Sequence, residues 1–135
     1  MALAFSTASN IKPFFDDETP EYEAAADWFS TQAGYNTISI MAAKPHIAFL
    51  SNTQNRDSRD CMLQYVGEDD LPQMLKAVKP SHFVYDERYA FAVFPQFGRL
   101  LHPETNPYPG ILEPAITIHS PKKIVIYKYL GQTAF

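Results

Sequence analysis

The chain of 135 residues has one cysteine, five scattered glycines, no excess of basic charge and no long apolar run. Each shortage excludes something. With Cys61 alone, no intramolecular disulfide can form, and a reducing compartment is the simpler setting. The five glycines make no G-x-G-x-x-G fingerprint, P-loop or G-x-S-x-G elbow, so the nucleotide-binding and hydrolase classes built on those turns are not expected. No stretch approaches the ~20 apolar residues a spanning helix needs, so no membrane partner is expected. The start lacks the basic and long apolar regions of a secretory signal. The expected compartment is therefore cytoplasmic, or the cytoplasm of a host cell. Eleven Lys plus Arg against fifteen Asp plus Glu leave no basic footprint for nucleic acid. The small group Lys122, Lys123 and Lys128 reads as a solvated strand edge.

What the chain does have is apolar and aromatic surface. Apolar residues make up 46% and aromatics 14%, with ten Phe, eight Tyr and one Trp. This is enough to offset ordering entropy without a metal or disulfide staple, so a single folded domain over 1–135 is expected, with no cofactor. The charge is uneven. Residues 1–34 hold one cation, Lys12, against six acids, and the remainder is close to neutral. Residues 1–18, with Pro13 and the run Asp16–Asp17–Glu18, read as an irregular N-terminal arm. That run lacks the spacing of an EF-hand loop, so no metal is expected there.

Periodicity predicts two helices. In the first, Thr19 caps and Pro20 opens residues 20–33. Tyr22, Ala25, Ala26 and Phe29 form one face, and Gly34 stops it. In the second, Leu71, Met74, Leu75 and Val78 form the stripe, Asp69 or Asp70 caps it, and Lys79–Pro80 ends it. About seven strands are predicted from alternation and turn signals: 36–41, 46–50, 61–66, 81–85, 89–94, 115–119 and 123–130. Asp86–Glu87–Arg88 reads as a hairpin turn. In the last strand, apolar residues fall on both faces, so both sides of that sheet position should be covered. Five of the eleven prolines fall within 95–114, which reads as a long ordered loop packed on the sheet. The expected architecture is α+β: a mainly antiparallel sheet of six or seven strands, two helices on one face, and a long proline-rich loop.

Three functional readings can be written from these residues. The first is a protein-interaction or assembly subunit without catalysis, such as a viral or phage accessory protein or part of a larger complex. It would take a protein partner or self-associate into an oligomer. Six aromatics fall within 83–97, and only half can face one core. The others need cover from the proline loop or from another protein. Tyr85, Tyr89, Phe97, Tyr108 and Tyr127 are the contact candidates. The second is a small cysteine hydrolase, with Cys61 as nucleophile, His119 as base, and Asp60 or Glu113 orienting the imidazole. The order of cysteine first and histidine on a later strand is similar to that of papain-like and NlpC/P60-type peptidases, on Asp60–Cys61 and Tyr65–Val66. Met62–Leu63 replace the Ser-Gly usual after the cysteine there, so the likeness does not amount to membership. A third possibility is a small-ligand module with a pocket between proline loop and sheet. His46, His82, His102 and His119 have no helical metal spacing, so a zinc site is not expected.

Overall fold

The segment Lys123–Tyr129 alternates Ile124 and Ile126 on one face with Val125, Tyr127 and Tyr129 on the other, and all five side chains are buried. A strand apolar on both faces must lie inside a sheet that is covered twice. The computed structural model, which describes residues 20–32, 37–43, 46–55, 65–119 and 122–131, places it there. Along the chain run α1 (Pro20–Ser30), β1 (Ser39–Met41), α2 (His46–Ser51), β2 (Gln54–Asn55), α3 (Leu71–Val78), β3 (His82–Asp86), the short turn α4 (Ala90–Val93), β4 (Leu112–His119) and β5 (Lys123–Tyr129). The strand order is β2-β1-β3-β5-β4. β1 pairs in parallel with β2 and β3, while β3 with β5 and β4 with β5 are antiparallel.

One core lies on each face. On the first face, Tyr22, Ala25, Ala26 and Phe29 of α1 and Ile47 and Ala48 of α2 pack on Ile40, Val84, Ile124 and Ile126. On the second, Leu71 and Leu75 of α3 join Phe94, Phe97, Leu100, Tyr108 and Leu112 over Met41, Phe83, Tyr85, Val125 and Tyr127. Every one of these side chains is removed from water, and each large one stabilises by roughly 1.5–3 kcal/mol before entropy is counted.

The α+β class stands, but the expected sheet does not. Among the described residues the sheet has four strands extended by the two-residue β2, not six or seven, and it is mixed rather than mainly antiparallel. The helices do not share a face: α1 and α2 cover one side, α3 the other. Two of the predicted strands are helical. Residues His46–Ser51 form α2, because six residues with a central apolar run of four cannot distinguish the two periods and contact with α1 decides. The expected strand 89–94 contains α4 instead. There Asp86 Oδ2 accepts the Tyr89 N–H at 2.7 Å and Oδ1 the Ala90 N–H at 3.3 Å, which turns the chain into a helical start rather than a hairpin.

The proline-rich segment is ordered and packed on the sheet. It runs as short 3-10 turns over Pro95–Leu101 and Pro103–Thr105, which tolerate proline in their first turn. Phe97, Leu100, Leu101 and Tyr108 are buried beneath it. The arm 1–18, Gly34 and residues 61–64 of the expected strand lie outside the described residues.

Candidate functional site

Four of the five aromatic contact candidates are core. Tyr85 and Tyr127 are fully buried, Phe97 and Tyr108 nearly so. Their hydroxyls serve internal carbonyls: Tyr85 donates to Phe94 O at 2.5 Å, Tyr127 to Leu100 O at 2.6 Å and Tyr108 to Glu68 O at 2.5 Å. Burial pushes all three phenols well above their ordinary range, so they act as neutral donors at any working pH. The proline-rich segment supplies one of those carbonyl partners, Leu100 O, and much of the cover, which leaves these rings no outer face to offer. Tyr89 differs. It is half-buried and touches both cores.

Tyr89 belongs to a polar cluster that pins α1 to the sheet. Tyr22 donates to Asp86 Oδ2 at 2.7 Å, and the Tyr22, Tyr89 and His46 rings lie 5.4 to 6.3 Å apart. Beside them Glu21, fully buried, is held by Arg88 at 2.5 Å. Burial raises the Asp86 carboxyl, opposed by the hydroxyl and backbone donors around it. Burial and the Asp86 charge together raise Tyr22. Asp86 is 2% exposed and its donors come from the chain itself, so this cluster joins elements and offers no reacting atom to solvent.

For the hydrolase reading, Cys61 and Asp60 lie outside the described residues. His119 is exposed at the end of β4, opposite Lys123, and Glu113 is exposed at the other end, opposite Lys128. The two are not brought together. Among the described residues, no group of three His, Cys, Asp or Glu is placed to hold a metal ion, and no helix is long and apolar enough to cross a membrane.

A cleft of about 320 Å³ opens on the α1 face of the sheet, not between proline loop and sheet. Trp28 of α1, Gln32 just after it, Ile38, Ser81, His82, Ala115 and Lys128 are among the residues that line it. The register places His82 directly across from Lys128. A reciprocal serine pair fixes the imidazole. Ser81 Oγ donates to Ser39 O at 2.9 Å and accepts the Ser39 N–H at 2.9 Å, while Ser39 Oγ accepts the Ser81 N–H at 3.0 Å. The one Ser81 hydroxyl proton is thus committed. The 2.8 Å contact between Ser81 Oγ and His82 Nδ1 then requires Nδ1–H to donate. Nε2 is left as an acceptor. Burial, reinforced by the Lys128 charge, lowers His82 to about 4, so it is neutral at pH 7.

No family model, curated protein or solved structure matches this chain.

The remaining open feature is the sheet edge. β4 is an edge strand of eight residues, and among the described residues nothing pairs with its outer side. Ala115–Ile118 carries no charge. The usual protections, proline and a register break, occur only at Pro114. Sequence reasoning found the strand but not its edge position, which depends on where β3 inserts. It also passed over the cleft: Ser81 and His82 were visible only as a strand start.

Proposed function

We propose that this protein is an assembly subunit that pairs with a second copy of itself through the outer edge of β4. The observation that carries this reading is an eight-residue edge strand whose segment 115–118 is uncharged and β-branched at three of four positions. Such an edge is a template for another strand. Self-pairing suits it. In an antiparallel pair centred on Thr117, Ile116 lies opposite Ile118 of the second copy, twice, and β-branched cross-strand pairs of this kind stabilise a sheet. Ile116 and Ile118 already share the α1 face through their partners Ile126 and Ile124, so the register keeps apolar side chains on one side. Pro114, without an N–H, ends the pairing at the register break. The closed twofold contact yields a dimer rather than a fibre.

A pairing of five residues a side is small, so association in the micromolar range or weaker is expected. Light scattering across a concentration series should show a monomer–dimer equilibrium. Thr117→Lys places two ammonium groups opposite each other and should leave a monomer with an unchanged circular dichroism spectrum. Thr117→Val should retain the dimer. A wild-type chain that stays monomeric at high micromolar concentration overturns the reading, as does a Thr117→Lys variant that dimerises equally well.

A further inference from the structure

The cleft beside His82 has a composition that selects a ligand class. Its one charged lining group is Lys128, and among the described residues no carboxylate lies within ion-pairing distance of that ammonium. An available cation at the rim favours an anion. The end of α1 would ordinarily favour a cation, but its Trp28 carbonyl already accepts Thr31 N–H at 3.1 Å, Thr31 Oγ at 2.7 Å and Gln32 Nε2 at 3.2 Å. The walls add flat apolar surface: the Trp28 indole, with Ile38 and Ala115. The imidazole of His82 is held edge-on to Trp28 and Phe29, at 6.0 and 5.1 Å between ring centroids. Its Nδ1–H is spent on Ser81, and Nε2 hydrogen-bonds nothing among the described residues. A neutral acceptor held rigidly beside a cation calls for a ligand that brings its own donor.

We propose that the Trp28–His82–Lys128 cleft binds a small aromatic carboxylate bearing a hydroxyl group. The carboxylate meets Lys128, the ring lies along Trp28, and the hydroxyl donates to His82 Nε2. At about 320 Å³ the cleft is at the small end of ligand sites, which matches one substituted ring. A polyphosphate would need several cations, and the cleft supplies one. Glu113 faces Lys128 in the β4–β5 register and competes for it at longer range. The ring and charge contacts come from α1, β3 and β5, and β4 contributes only the Ala115 wall, so the site does not require the β4 pairing.

The chain has a single tryptophan, so its indole N–H gives one nuclear magnetic resonance signal that reports this cleft alone. Titration with 4-hydroxybenzoate should move that signal saturably. Benzoate, which lacks the hydroxyl, and 4-hydroxybenzyl alcohol, which lacks the charge, should each bind more weakly. Lys128→Gln, at an exposed position, should weaken 4-hydroxybenzoate by about tenfold, the scale of a lost charge-assisted hydrogen bond. Glu113→Gln should tighten it. The same titration on Thr117→Lys should give the same affinity, which separates the cleft from self-association. No saturable shift at millimolar 4-hydroxybenzoate overturns the proposal. So does a shift that Lys128→Gln leaves unaltered, or one that the uncharged alcohol reproduces at equal affinity.

Discussion

The buried tyrosine hydroxyls show what a single atom contributes here. Tyr127 is long enough to cross one core and reach Leu100 O, a carbonyl that irregular backbone would otherwise bury without a donor, while Tyr85 adds a second donor to Phe94 O, which also accepts the Phe97 N–H at 3.1 Å. Phenylalanine at either position keeps nearly all the apolar area and removes the donor. Tyr127→Phe should therefore cost about 1–3 kcal/mol, the penalty of an unsatisfied buried carbonyl, rather than the tenths expected from packing. Urea denaturation checks this: the midpoint should fall with an unchanged slope. A Tyr127→Phe variant as stable as the parent would mean that Leu100 O finds another donor. The same hydroxyls explain why the aromatic contact candidates could be found in the sequence but not placed. Composition showed a surplus of rings, but which carbonyls they would reach depends on the path of the proline-rich segment.

At the level of elements, legibility followed the number of turns or alternations available. α1 and α3 have two or more helical turns, and their stripes were read directly, as were β3, β4 and β5. α2 and α4 have six and four residues, and neither period can establish itself over such lengths. In α4 the decision lies in Asp86, whose carboxylate caps the turn while it also binds Tyr22 from 64 residues away. That role needs the tertiary contact before it can be seen. The end of α3 was legible for a local reason. Lys79 takes the left-handed conformation, φ 56°, and its N–H closes on Leu75 O at 2.8 Å. A non-glycine residue there costs roughly 1 kcal/mol in local strain. Lys79→Gly should raise the thermal midpoint slightly, with a gain of at most about 0.5 kcal/mol after the added freedom of the unfolded chain is subtracted. The side chain is exposed, so no packing loss confuses the comparison. A lower midpoint would show that the Lys79 stem contributes more than its backbone costs.

For the whole molecule, two groups on the α1 face, at opposite ends of β3, make stability depend on pH with opposite signs. His82 falls from 6.5 to about 4 on folding because burial and Lys128 disfavour its charge. Between those values the unfolded chain binds the proton and the folded chain does not, so stability drops as pH is lowered from about 6.5 to about 4. Asp86 shifts the other way. Its folded carboxyl lies above 3.8, so the folded chain binds a proton there more readily and gains stability as pH falls through that range. The two slopes oppose each other, and the wild-type profile should be flatter in mild acid than either group alone would make it. Substitution separates them. His82→Asn removes the acid loss, and its stability should hold or rise on going from pH 6.5 to pH 4, measured against its own value at pH 7. Asp86→Asn keeps an acceptor for Tyr22 but removes the acid gain, and it should lose stability more steeply than wild type over the same interval. Chemical denaturation at half-unit pH steps gives all three curves. Parallel curves for the three chains would mean that neither group carries the pH dependence, and that it resides in the exposed carboxylates instead.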